Sequence, residues 1–154
     1  MTDFFDILDK FPTDLRDRVL NLSNCDQRRD KHPEGDVLTH TMVVFRRLQD
    51  LNDMGMLLSA IFHDIGKDVT ASTHPKKGHI THFGHEKVSA QLVLDNADLI
   101  ASFGCDVNRV HCIVKNHMRI KFMDDMKPSK QQAMRDMAFF NDLVTFNKAD
   151  KGGF

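Results

Sequence analysis

Tryptophan and tyrosine are absent from these 154 residues, while phenylalanine numbers 12, so the aromatic volume is expected to be core filler. Cysteine is scarce: Cys25, Cys105 and Cys112 form no CxxC pair and are odd in number. That excludes a disulfide framework, disfavours a zinc–thiolate site and predicts reduced thiols in a cytoplasmic protein. Charge of either sign is nearly balanced at a net -1, so no global field demands a nucleic-acid or membrane partner. No apolar run approaches the length of a membrane span, and the acidic opening Met1-Thr2-Asp3 is unlike a signal peptide. No repeats, low-complexity tracts or interdomain linker interrupt the chain, and no segment alternates apolar and polar residues with a period of two. The expectation is an all-α, single-domain helical bundle over residues 1–154, with 41% apolar and 28% charged residues, ordinary for a globular protein.

What the chain does have is histidine, nine in all. The most informative stretch is Ala60-Ile61-Phe62-His63-Asp64-Ile65-Gly66-Lys67. Met54, Leu57, Leu58, Ile61 and Ile65 form the apolar stripe of a packed helix, and Asp64 falls in line with Leu57 and Ile61. A carboxylate aimed at the core needs a cation, a donor or a metal. His63 lies about 100° around the same helix, and Gly66 marks its expected end.

Other helices supply partners. Phe4, Phe5, Leu8 and Phe11 predict a short helix stopped near Pro12, and Thr13-Asp14 caps a second one. Residues 23–35 form a polar loop in which Arg28, Arg29 and Lys31 make a small basic cluster, either solvated or touching a substrate phosphate. Asp36 caps a helix to about Asp50 whose inner face is Val37, Thr41, Val44 and Leu48, with His40 leaning toward it. Residues 68–83 are the longest loop, where His74 and His79 are expected in solvent and His82 is undecided. Gly84 opens a helix with His85 in its first turn. Asp106 caps another, on which His117 follows Ile113 inward and His111 lies on the flank. Ser129 caps a further helix after Pro128, and the last carries Phe139, Leu143, Phe146 and then Asp150.

His40, His63, Asp64 and Asp150 are thus inward polar groups on three predicted helices, and four such groups that converge are better explained by a metal than by separate hydrogen bonds. A mixed nitrogen and oxygen set suits manganese, iron, nickel, cobalt or zinc, with magnesium fitting where phosphate and water fill the shell. An ion so held acidifies water and polarises a phosphoryl oxygen.

Those residues, in their order and spacing, resemble the H…HD…D signature of the HD-domain metal-dependent phosphohydrolases. His32-Pro33-Glu34-Gly35-Asp36-Val37-Leu38-Thr39-His40-Thr41, His63-Asp64-Ile65-Gly66-Lys67 and Phe83-Gly84-His85-Glu86 are similar to the HD domain of bacterial tRNA nucleotidyltransferases. The similarity runs over about residues 27–120, and Ala149-Asp150 resembles the final ligand motif. Ser89-Ala90 stands where relatives place Gly-Ala. With no nucleotidyltransferase segment ahead of it, a stand-alone HD domain is expected, and nucleotide addition is not implied.

The resemblance implies hydrolysis of a phosphomonoester or 2′,3′-cyclic phosphodiester of a nucleotide or RNA end. His40, His63, Asp64 and Asp150 would hold the ion, and Lys67 would either neutralise phosphoryl charge or be a surface cation. His85 and His117 would either bind a second metal, making one or two ions per chain, or contact the phosphate; the place of His85 beside the long loop favours the phosphate. The competing expectation is a metal-containing nucleotide- or RNA-binding module without turnover.

Overall fold

The computed structural model describes residues 2–152. Helices dominate as expected: α1 (Phe4–Leu8), α2 (Thr13–Leu20), α3 (Val37–Leu48), α4 (Met54–Phe62), α5 (His85–Asp95), α6 (Ala97–Ser102), α7 (Val107–Asn116), α8 (Pro128–Arg135) and α9 (Phe140–Lys151). Asp36, Asp53 and Asp106 cap α3, α4 and α7, their carboxylates accepting from Thr39 N at 2.9 Å, Met56 N at 3.3 Å and Asn108 N at 2.9 Å. The caps expected at Thr13 and Ser129 are displaced. Pro12 and Lys127 hold the cap positions instead, and Pro128 occupies the first turn, where its missing N–H costs nothing.

The core is laid around α4, which is buried along nearly its whole length because its outward residues, Gly55, Ser59 and Ala60, are small enough for neighbours to close in. α3 and α7 pack against it, α5 packs on α7, and α9 lies across α3 and α7. Val44, Phe45, Leu48, Leu57, Leu58, Ile61, Val110, Ile113, Val114 and Phe146 are among the side chains they bury. A smaller apolar cluster around Ile120, Met134 and Leu143 seats α8 beside α9. Arg109 ties the bundle from outside, its guanidinium donating to both oxygens of Asp53 at 2.7 Å and to Asp142 at 2.9 Å. Gly55 makes room for it, since a Cβ there would sit 2.4 Å from Arg109 Nη1.

Four expectations change. The helix predicted through Ile65 ends at Phe62, and the chain continues as a 3-10 turn, Ile65–Val69. Gly66 therefore ends no helix. It is small because a Cβ would lie 2.6 Å from the His85 carbonyl oxygen and 2.8 Å from Val88 Cβ, so it lets the turn touch α5. The long loop contains a two-residue antiparallel hairpin, β1 (Ser72–Thr73) with β2 (Ile80–Thr81), too short to show periodicity. Its His74 and His79 are half-buried against each other, ring centroids 5.0 Å apart, rather than free in solvent. Finally, not every phenylalanine is core filler: Phe5, Phe83 and Phe122 are exposed. The three cysteines are free thiols.

Candidate metal centre

Six side chains from five helices and the turn after α4 meet in one buried cluster. His40 arrives from the first turns of α3, His63 and Asp64 from the end of α4, His85 from the first turn of α5, His117 from the end of α7 and Asp150 from the last turn of α9. Asp64 is central. Its Oδ1 lies 3.1 Å from His85 Nε2 and 3.3 Å from His117 Nε2, and its Oδ2 lies 3.2 Å from His63 Nε2 and 3.7 Å from His40 Nε2. Asp150 Oδ1 is 2.8 Å from His40 Nε2 and 3.6 Å from His63 Nε2. The structure thus brings together all four expected ligands and places both further histidines against them.

The orientation of the rings bears on what the cluster can hold. Nδ1 of His63 meets the Ala60 carbonyl at 2.6 Å, that of His85 the His82 carbonyl at 2.9 Å and that of His117 the Val114 carbonyl at 2.6 Å. A carbonyl only accepts, so each Nδ1 carries a proton and each ring turns its Nε2 inward. His85 and His117 then face each other Nε2 to Nε2 at 3.1 Å, and the fully buried His63 Nε2 lies 3.2 Å from Asp64 Oδ2 without a well-aligned hydrogen bond. Imidazole nitrogens that converge with carboxylate oxygens at these distances fit a cation. Two donors each ~2.1 Å from one ion and at right angles would lie ~3.0 Å apart, close to the observed separations. His40 completes the pattern, its Nδ1 held by the Glu34 carboxylate.

Electrostatics agree. Burial pushes the Asp64 carboxyl up, but His63 and Lys67 outweigh it and hold the group well below the usual carboxylate range. Asp150 is held low in the same way by His40, His63 and Lys121, whose Nζ is 2.9 Å from Asp150 Oδ2. Burial pushes His63 down, yet the Asp64 and Asp150 carboxylates more than reverse this and raise it to about 10, whereas burial drives His117 down to about 4. Positive charge from His63, Lys67 and Lys121 gathers on the two buried carboxylates, where a divalent ion would be held as well.

Lys67 is no surface cation. It is buried, its Nζ 3.2 Å from Asp64 Oδ2 and donating to Gln27 Oε1 at 3.0 Å. Gln27 in turn donates to the Gly35 carbonyl at 3.1 Å, linking the 23–35 loop to the cluster. Ser89 has a specific task, accepting from Gly66 N at 2.9 Å and so pinning the turn that carries Lys67 onto α5. The basic cluster divides: Arg28 and Lys31 line a cavity, while Arg29 points to Asp26 in solvent. His82 lines that cavity too, and burial beside Lys67 lowers it to about 4. His111 stays on the flank of α7.

Glu34, Gln27 and Lys121 were not singled out by periodicity. Glu34 stands in the quoted His32–Thr41 block, but a loop residue has no face from which direction can be read. Two cavities open onto the cluster. One, about 420 Å3, reaches Lys67 and His85; the other, about 570 Å3, reaches His40 and Asp150. Lys31, His32, Met118 and Phe122 line both.

No solved structure gives a significant match. Among curated proteins, an A-adding tRNA nucleotidyltransferase of Deinococcus radiodurans is 28% identical over 119 residues, 75% of this chain and 27% of its own length. A CC-adding tRNA nucleotidyltransferase of Thermus thermophilus is 29% identical over 94 residues, 61% of this chain and 21% of its own length. The chain therefore spans only about a quarter of the relatives it matches. The HD-domain profile matches residues 37–142, the segment that carries five of the six clustered side chains, and by that match the chain belongs to the HD-domain family.

Proposed function

We propose that the chain is a metal-dependent phosphohydrolase acting on a phosphomonoester or 2′,3′-cyclic phosphodiester of a nucleotide or RNA end. The observation that carries this reading is the inward turn of four Nε2 atoms onto two buried carboxylates. His40, His63, Asp64 and Asp150 would hold one divalent ion. Asp64, His85 and His117 lie close enough to hold a second, with Asp64 shared, and their mutual distances favour this over the phosphate contact expected from the loop's position. A bound ion supplies an acidified water for attack on phosphorus and a Lewis acid for the phosphoryl oxygen.

The protein's own groups then have distinct tasks. Carbonyls and Glu34 fix the imidazole orientations, so that no reorganisation is needed when substrate arrives. Lys67, positioned by Gln27, places a fixed positive charge where phosphoryl oxygens approach Asp64. The two cavities, which share Lys31, His32, Met118 and Phe122, give substrate access to the cluster. A binding module without turnover is the second reading, supported by relatives whose names record nucleotide transfer rather than hydrolysis.

Both are tested with phosphomonoesters and 2′,3′-cyclic nucleotides against manganese, nickel, cobalt, zinc and magnesium. Turnover abolished by a chelator is expected, together with one to two ions per chain by elemental analysis and loss of bound metal in Asp64→Asn. Metal content without turnover on any substrate would favour the binding module; full metal occupancy in Asp64→Asn would remove the proposed centre.

A further inference from the structure

Among the described residues most phenylalanines are buried or half-buried, but Phe83 is 76% and Phe122 57% exposed. A single exposed ring needs no explanation, and Phe5, which lines neither cavity at the cluster, is such a case. Phe83 and Phe122 differ because they come from separate parts of the chain to line the same cavity of about 420 Å3. Phe83 immediately precedes α5 and its His85, and Phe122 lies in the 3-10 segment Arg119–Asp125 beside Lys121. The same walls carry Lys31, Lys67 and His85, so the apolar rings adjoin the charged end where a phosphate would lie. The volume falls within the roughly 300–1,000 Å3 usual for small-molecule sites.

Flat apolar faces next to fixed cations match a ligand that is itself flat at one end and anionic at the other. An acyl chain would not need the cations, and a sugar phosphate would not need the rings. We propose that Phe83 and Phe122 form a stacking site for the nucleobase of a substrate whose phosphate reaches the His–Asp cluster. This rests on the phosphohydrolase reading for the position of the phosphate, though base binding itself needs no turnover. Stacking would be tolerant of base identity, because every base presents a π face.

The absence of tryptophan and tyrosine makes the test clean. Phe122→Trp keeps an aromatic ring and introduces a single indole fluorophore on the cavity wall. Titration of this full-length variant with adenosine or cytidine monophosphate should quench the indole saturably. Ribose 5-phosphate, which has the phosphate but no base, should not quench and should compete at least ten-fold more weakly. Adding Phe83→Ala should loosen nucleotide binding by roughly 5- to 150-fold, the range for losing one stacked base. Phe83→Leu keeps apolar volume without the π face, and it should weaken binding in the same direction.

A short oligoribonucleotide ending in the same nucleotide distinguishes the source. Tighter binding than the mononucleotide would assign the site to an RNA end, and equal binding to a free nucleotide; either sustains the stacking site. Ribose 5-phosphate binding as tightly as the nucleotides, or Phe83→Ala and Phe83→Leu binding like the parent, would overturn it. Base-dependent binding in a protein that hydrolyses no phosphoester would keep the stacking site and remove the hydrolase reading. Hydrolysis indifferent to the base would do the reverse.

Discussion

Asp150 offers a sharp test because it stands so near the end of the described chain. Terminal residues usually tolerate change, yet this carboxylate is only 2% exposed and touches His40 at 2.8 Å and Lys121 at 2.9 Å. Asp150→Asn keeps the shape and removes the charge. In the metal-free protein two consequences oppose one another. Losing a partner from a buried charged cluster costs up to about 3–5 kcal/mol. Lys121, however, is 22% exposed and can return to water, and His63 loses one of the two carboxylates that hold it protonated, so the cost should fall at the low end.

The effect of metal is larger in relative terms. At a metal concentration of ~100 Kd the parent gains about 2.7 kcal/mol by mass action. For a chain of this size that is a rise in melting temperature of roughly 5–11 °C. If removing a ligand weakens binding by about 100-fold, the same concentration equals the new Kd, and the gain falls to roughly 0.4 kcal/mol, about 1–2 °C. Thermal melts of parent and variant with and without manganese measure this directly. An undiminished metal-induced rise in Asp150→Asn would refute the reasoning. Truncation after Lys148 should act in the same direction, but it also removes the Ala149 carbonyl that Arg47 holds at 2.8 Å, so the point substitution is the cleaner experiment.

Gly66→Ala should destabilise by about 1–3 kcal/mol in urea unfolding, because its Cβ would press on the His85 carbonyl and Val88. It should also lower metal content by pushing α5 away from Asp64, and a variant with parental stability and metal would contradict the close approach. Lys67→Ala should retain metal but lose roughly one to three orders of magnitude in rate on the best phosphoester found; parental activity would leave Lys67 a purely structural partner of Asp64. Arg109→Met tests the outer tie: hydrogen bonds from Arg109 hold Asp53 below its ordinary value, so their stabilisation is present above the unfolded pKa and fades as pH falls through the folded one. Urea titrations should show a loss of about 1–2 kcal/mol at pH 7, already discounted for the partly exposed pair, and a smaller one near pH 3; equal losses at both would refute it.

Much of the cluster was legible because helical period and burial agree. His40 falls between Val37 and Val44 and goes inward with them, and Asp150 continues Leu143 and Phe146 along α9. Asp64 reaches its place by a different route. The helix that was to carry it stops at Phe62, and Asp64 sits outside it with φ -113° and ψ 7°. The extrapolated stripe pointed in the right direction because His63, just before it, still has helical angles (φ -60°, ψ -34°), so Asp64 emerges where the next helical residue would. What could not be read were contacts that depend on tertiary closure. Glu34 against His40 and Gln27 against Lys67 come from a loop with no periodicity, and Lys121 from a 3-10 segment.

The three histidines outside α3 reveal how such a cluster can be built from local rules. His63, His85 and His117 each donate Nδ1–H to the carbonyl three residues earlier, and each stands at a helix end. Helix ends leave carbonyls or turns with acceptor capacity to spare, so a histidine there can lock its own tautomer without a distant partner. Orientation of these rings is therefore set by a few consecutive residues, while packing of α4, α5 and α7 only has to bring the ends together. His40 is the exception, lying within α3 where helical carbonyls are already used, and it needs Glu34 from the loop instead. Glu34, only six residues before His40, supplies the orientation that α3 cannot, and Asp150 brings the end of α9 to a centre whose other rings are oriented by their own turns.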